Sequence, residues 1–206
     1  LIRHYAGADF SEELNRAKMD YFDNTGSLDE NKPNYNLRMH QFYEWYFLTR
    51  ALKSYMKTPL MVCDQHRDLR LTEDDLATIE VLKHTHQHLL LEYIKIKNDI
   101  IFVKNILTNK KIEIEQGALV FGFDSKEFFQ ARIVEIEGKK YFLDSFCFHP
   151  ELSQKFILSE IKLLQKNPDL SLEDLLFRLN KMRYKFEQYK HVKPELIYTN
   201  DNKLGL

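Results

Sequence analysis

Apolar residues recur at helical spacing in the first part of the chain. Leu14, Ala17 and Tyr21 lie three and four residues apart. This spacing predicts a helix over residues 11–24 that ends before Gly26, since glycine favours helix ends.

A second helical segment is rich in aromatic residues. It is predicted from Tyr35 to Met56, after Pro33 interrupts the preceding polar stretch. Its aromatic side chains occur on all sides of a helical wheel, which is typical of a helix covered on most faces. We therefore expect this helix to be central and Trp45 to be buried. A shorter helix is predicted over residues 73–84, because its first turn is acidic.

The pattern changes to alternation and β-forming residues between positions 88 and 148. Two runs separated by Lys97-Asn98-Asp99 predict a hairpin. Residues 111–115 alternate strictly, and two further runs meet around Gly138. The segment is therefore predicted to form an antiparallel β-meander or a small open barrel.

Helical periodicity returns after Pro150 and continues to Asn167. Ser171, with Asp174 three residues later, indicates the start of a last helix. Its apolar seam consists of Leu175, Leu179, Met182, Phe186 and Tyr189. Spacings of four and three predict that this helix packs against the preceding one. We expect a C-terminal helical hairpin, followed by a loosely held tail after Pro194.

Together these elements predict an α+β fold with three regions. Residues 1–86 form an N-terminal helical region, residues 87–149 the antiparallel β-unit, and residues 150–206 the helical hairpin and tail. We expect one compact domain, or two that are tightly packed.

Composition excludes several classes of protein. Of 206 residues, 44% are apolar and 30% charged, which is typical of globular chains. Thirty Lys and Arg against 31 Asp and Glu give no overall field that attracts nucleic acid. No run approaches the roughly 18 apolar residues of a membrane span, and the first ten residues hold no signal-peptide block. Isolated Cys63 and Cys147 suit a reducing compartment, so the predicted location is the cytoplasm.

Three histidines at alternate positions form a pattern that suits zinc, nickel or copper. On a strand His84, His86 and His88 would share one face, and on a helix only the first and last would. No Cys, Asp or Glu lies within the run, and a helix-to-strand junction with solvated histidines explains it equally. We therefore predict no cofactor and no stoichiometric metal, and keep a metal-dependent enzyme as a second alternative.

Two other pairs have catalytic residue types. His40 and Glu44 lie one helical turn apart, and a buried acid beside a histidine can transfer protons. Cys147 and His149 would share a strand face, as a thiolate and its base do. A satisfied hydrogen bond and a buried thiol explain these pairs better. Since the chain also lacks a phosphate-binding glycine loop, the sequence favours a non-enzymatic role.

Basic residues of the last helix are the predicted partner-binding residues. Arg178, Lys181 and Lys185 form a stripe beside the apolar seam. They predict a cytoplasmic binding or regulatory protein that contacts an acidic protein or a second copy of itself, with no membrane contact. The alternative is nucleic-acid binding by this helix and by aromatic residues of the β-unit, namely Tyr93, Phe102, Phe128, Phe129 and Tyr141.

Parts of the chain resemble other bacterial sequences. Tyr21–Gly26 and Asn36–Leu48, with the pattern RM..F.EWY, resemble uncharacterised conserved proteins of deltaproteobacterial type. Lys104–Lys111, Phe128–Arg132 and Phe146–Pro150 resemble a small β-module of several bacterial proteins. The resemblance implies a cytoplasmic protein and supplies no activity.

Overall fold

Helices occupy both ends of the chain and strands its middle, in a computed structural model that describes residues 2–117, 122 and 124–201. The helices are α1 (Ile2–Tyr5), α2 (Ser11–Thr25), α3 (Tyr35–Leu48), α4 (Pro59–Val62), α5 (Glu73–Thr85), α6 (Gln154–Lys166), α7 (Leu172–Gln188) and α8 (Pro194–Ile197). The strands are β1 (Gln87–Lys97), β2 (Ile100–Asn105), β3 (Lys111–Glu115), β4 (Phe128–Ile136) and β5 (Lys139–His149). The predicted α+β class is confirmed.

The strands form one antiparallel sheet of order β3-β2-β1-β4-β5. Asn98 and Asp99, at φ 51° and 59°, make the predicted turn between β1 and β2. Glu137 and Gly138, at φ 51° and 78°, join β4 to β5 in the same way. Two successive positive φ values are typical of the hairpin turn that matches strand twist. Because β4 pairs with β1 and not with β3, the order differs from that of a simple meander.

The sheet curls, because its edge strands β3 and β5 approach with Cα atoms within 8 Å. Lys139 Nζ in β5 also lies 3.2 Å from Glu115 Oε1 in β3. The curled side encloses an apolar core of Leu89, Leu91, Ile101, Val103, Ile114, Phe129, Ala131, Ile133, Phe142 and Phe146. This shape corresponds to the open barrel of the two predicted alternatives.

Aromatic rings hold the N-terminal helices together. Phe42 and Tyr46 of α3 stack at 5.8 Å between ring centroids, and Tyr21 of α2 lies 5.2 Å from Trp45. Trp45 is 8% exposed, which confirms the prediction that it is buried. Its Nε1 donates a hydrogen bond to Glu173 Oε1 in α7 at 2.7 Å, so an N-terminal helix and a C-terminal helix are in contact here.

Helix α3 is shorter than predicted. It ends at Leu48 and not at Met56, and Leu52 pairs with Lys57 in an isolated β-bridge. The guanidinium of Arg50 donates to Glu13 and Asp20 of α2. These long-range contacts outweigh the local helical preference of the segment, which is a weak influence in a packed protein.

The C-terminal helices pack on the outer face of the sheet, and the predicted seam of α7 lies in their shared core. Ser171 caps α7 by accepting from the backbone of Glu173 and Asp174. The prediction of a loose tail is wrong for residues 194–198, because Ile197 and Tyr198 are buried in α8 and directly after it. No helix in the described ranges has the length and apolar character needed to cross a bilayer.

Candidate functional site

The predicted partner-binding residues of α7 make contacts within the chain. Arg178 binds the buried Glu160 of α6 and donates to Asn200 Oδ1 at 2.9 Å. Lys181 Nζ donates to the carbonyl of Asp23, at the end of α2, at 3.0 Å. Lys185 is half-buried. These side chains therefore fasten α7 to its neighbours, and their contact with a partner stays a prediction.

Neighbouring helix α6 presents a different surface to solvent. Ile157, Glu160 and Ile161 are buried, so the opposite side of the helix faces outward. That side carries what we call the lysine–leucine face, which consists of Lys155, Leu158, Lys162, Leu163 and Lys166, all exposed. Amphipathic helices bury one stripe and expose the other, which explains how the sequence fixes this orientation.

The charges of the lysine–leucine face are not neutralised within the described part of the chain. No carboxylate there lies within ion-pair distance of Lys155, Lys162 or Lys166. Glu160, the acid of the same helix, points inward and is bound by Arg178 and Asn200. The face therefore combines three unpaired positive charges with two leucines. Its lysines are spaced by seven and four residues, so helical periodicity is the sequence signal that places them on one face.

The three predicted metal-ligand histidines do not come together. His84 lies in α5, its side chain is 72% exposed, and its Nε2 lies 2.7 Å from Glu80 Oε1. His86 follows the helix, and its Nδ1 lies 2.6 Å from the Leu82 carbonyl oxygen. His88 lies in β1 and lines a buried cavity. The helix-to-strand junction therefore separates the three rings, and they do not form a joint ligand set.

The cavity beside His88 is polar and lies between the sheet, α3 and α7. Glu44 of α3 enters it, accepts from the Ser145 backbone at 3.2 Å, and lies 3.8 Å from Arg132 Nε. Burial raises the pKa of Glu44 to about 7. Burial, reinforced by the charge of Arg132, lowers the pKa of His88 well below its ordinary value. The cavity thus holds one acid and one cation with little access to solvent.

Several polar atoms in this cavity lack a hydrogen-bond partner, among them Gln130 Oε1, Ser145 Oγ and Asn180 Oδ1. The open space amounts to about 20 Å³. One water molecule needs about 10–15 Å³ of such space, so the cavity suits a single bridging water. It is too small for an organic substrate, and we assign it a structural role.

The other catalytic pairs also have structural roles. His40 is exposed whereas the Glu44 side chain is only 17% exposed and enters the cavity, so the two do not share an environment. Cys147 and His149 share a face as predicted, but burial raises the pKa of the thiol to about 12 and lowers that of the imidazole to about 3. His149 lies between Gln130 Nε2 and the Tyr198 hydroxyl, at 3.1 and 3.0 Å. The interpretation as a buried thiol is confirmed.

Some of the aromatic residues considered for base stacking are buried in the core. Phe128 and Phe129 are buried, and Lys95 Nζ lies 5.1 Å from the centre of the Phe102 ring. Stacking platforms need an exposed aromatic face. The β-unit therefore offers less to nucleic acid than its composition indicates.

Comparison with known proteins assigns neither a family nor a function to this chain. No family model, no curated protein and no solved structure matches this chain. The resemblance to uncharacterised bacterial proteins therefore stays a prediction.

Proposed function

We propose that this protein is a non-enzymatic binding protein that docks an acidic helical segment of another protein on the lysine–leucine face of α6. The observation that carries the proposal is the set of three exposed lysines without a carboxylate partner in the described chain. Unpaired charges on a surface steer an oppositely charged partner and contribute to its orientation.

The spacing of the lysines defines the partner. With a rise of 1.5 Å per residue, Lys155 and Lys166 lie roughly 16 Å apart along the axis of α6. Carboxylates repeating every three to four residues on one face of a partner helix match this length. Apolar residues beside them would cover the leucines. The preferred occupant is therefore an acidic amphipathic helix.

Exposed leucines favour a protein partner over nucleic acid. Leu158 is 42% exposed and Leu163 is 52% exposed, and they lie on opposite sides of the lysine stripe. Apolar side chains gain free energy when a partner removes them from water, whereas phosphate groups offer them no such contact. Three lysines on a chain of net charge −1 can also neutralise only a few phosphates, which gives weak affinity for a nucleic-acid backbone.

Charge reversal on two matched surfaces tests the proposal. The test variant is Lys155→Glu, Lys162→Glu and Lys166→Glu combined. The control variant is Lys97→Glu, Lys110→Glu and Lys111→Glu combined, which changes the net charge equally at exposed positions of the β-unit. The probe is a fluorescent helical peptide with Glu every three to four residues on one face and Leu beside them.

We expect the peptide to bind the unchanged protein and to bind the test variant at least about tenfold more weakly at low salt, because like charges then face each other. The control variant should bind within about twofold of the unchanged protein. Equal loss in both variants would show a non-specific charge effect and overturn the proposal. Tighter binding of a DNA or RNA duplex than of the peptide would favour the nucleic-acid alternative. A nuclease-treated pull-down with both variants then identifies the natural partner as the protein lost only by the test variant.

A further inference from the structure

Two histidines and an aspartate meet beside the N-terminal helix, and none of them belongs to the histidine run or to α6. His4 lies in α1, and His66 and Asp68 lie in or next to a 3-10 turn at Arg67–Leu69. One imidazole nitrogen from each histidine and one carboxylate oxygen all lie within 4.8 Å of one another. No other group of three His, Cys, Asp or Glu side chains in the described ranges meets this condition.

Local packing brings these three side chains together. The hydroxyl of Tyr5, beside His4, donates to the Pro59 carbonyl at 3.1 Å and fixes α1 against α4. The His4 and His66 rings lie 4.8 Å apart, and Phe10 packs against both, at 5.3 and 5.8 Å between ring centroids. Phe10 thus holds the two imidazoles beside each other.

Both imidazoles have a nitrogen without a partner. Nε2 of His4 and Nε2 of His66 are shielded from solvent and make no hydrogen bond. The other nitrogen of His4, Nδ1, lies 2.8 Å from Asp68 Oδ2. Buried polar atoms are nearly always satisfied, so two such nitrogens on adjacent rings need an explanation. A bound cation is a partner that imidazole nitrogens accept, and one nitrogen of each ring lies within 4.8 Å of the other and of an Asp68 carboxylate oxygen.

We propose that His4, His66 and Asp68 bind a divalent transition-metal ion, with zinc as the preferred ion. Two imidazole nitrogens and one carboxylate oxygen match the mixed nitrogen and oxygen donors that zinc accepts. The neighbouring cavity of about 410 Å³ is lined by Asp9 and Tyr55 among others, and leaves room for a water or a further ligand.

A metal at this site differs from the prediction, made from the sequence, that the protein holds no stoichiometric metal. The absence of a stoichiometric metal was expected because the run from His84 to His88 contains no further ligand. The ligands proposed here are other histidines, which are 62 residues apart in sequence (66 − 4). They share no residue with the lysine–leucine face, so the metal site and the docking surface succeed or fail independently.

An ordinary ion pair is the competing explanation. Asp68 is 67% exposed, and a carboxylate at 2.8 Å from His4 Nδ1 can exist without a metal. The ion pair accounts for Nδ1 of His4 but leaves both Nε2 atoms unexplained. Metal binding and an ion pair therefore differ in what happens when His66 is changed.

Zinc titration of the full chain, stripped with a chelator, tests the site by calorimetry. We expect one equivalent of Zn²⁺ to bind with a dissociation constant in the micromolar range or below. His66→Phe keeps a ring in the aromatic cluster and removes both nitrogens, so affinity should fall at least about 100-fold. His84→Phe, the matched control at an exposed histidine, should bind within about twofold of the unchanged protein.

Two further measurements keep the proposal open to refutation. Asp68→Asn, at an exposed position, should weaken binding at least about tenfold even if His66→Phe fails to fold. Added Co²⁺ should give visible absorption bands that saturate at a roughly tenfold higher Co²⁺ concentration in Asp68→Asn. No binding of zinc below about 1 mM overturns the site, and so does loss of binding in His84→Phe with retention in Asp68→Asn.

Discussion

The buried cavity beside α3 and the lysine–leucine face of α6 both contain unpaired polar groups, but they differ in exposure. In the cavity Gln130, Ser145 and Asn180 have unsatisfied atoms while almost fully buried. On α6 the lysines are surrounded by water. The buried set affects the free energy of unfolding, since polar groups removed from water without a hydrogen bond destabilise the fold. The exposed set affects the binding of partners instead, since solvated charges contribute little to the free energy of unfolding.

The largest expected effect is at the wall of the cavity. Trp45→Ala should lower the free energy of unfolding by about 4 kcal/mol, because it removes a buried indole and leaves a void. Urea unfolding followed by circular dichroism measures this loss. Trp45→Phe keeps most of the volume and should lose less than half as much. Equal stability of the unchanged protein and Trp45→Ala would mean that this wall is not packed.

The second effect is a pH dependence from Glu44, whose pKa rises from 4.5 to about 7 on folding. Well below pH 4.5 the carboxyl is protonated in both states and contributes nothing. As the pH rises to 7, the unfolded chain releases the proton while the fold retains it, so stability falls by about 3 kcal/mol.

Glu44→Gln removes this titration. Urea unfolding at pH 4.5 and pH 8 should show the variant gaining about 3 kcal/mol relative to the unchanged protein over that interval. Parallel pH profiles for both proteins would show that the Glu44 carboxyl is better solvated or better paired than the cavity geometry indicates.

The smallest effect should occur on α6. Combined Lys155→Glu, Lys162→Glu and Lys166→Glu should change the free energy of unfolding by no more than about 0.5 kcal/mol, since exposed charges without partners stabilise little. Thermal unfolding at low salt measures it. A loss near that of Trp45→Ala would contradict the distinction between the two regions, because it would show that these lysines support the fold.

Local patterns predicted most of the elements correctly. Helix α5 begins at Glu73, as its acidic first turn predicted, and a capping box between Thr72 and Asp75 marks this start in the structure. The turn at Asn98 and Asp99 was equally readable, because few residues adopt positive φ. Such features depend on residues that are adjacent in sequence, so the sequence alone reveals them.

Long-range contacts were not predictable from one sequence. Glu44 was paired with His40 by helical spacing, yet its environment is set by Arg132 and Ser145 on the sheet. His84, His86 and His88 are close in sequence but separated by a change from helix to strand. Periodicity carries no information about which distant element covers a given face. It can therefore group side chains into a catalytic pair or a metal site that the fold does not form.

The hydrogen bond from Trp45 to Glu173 has a consequence for synthesis in the cell. Its two residues are 128 positions apart. At a ribosomal speed of about 5–20 residues per second, α7 is made roughly 6–26 s after the aromatic helix α3. During this interval α3 lacks the helix that completes its cover. Nascent chains of this protein should therefore be held by chaperones that recognise aromatic segments until α7 has been made.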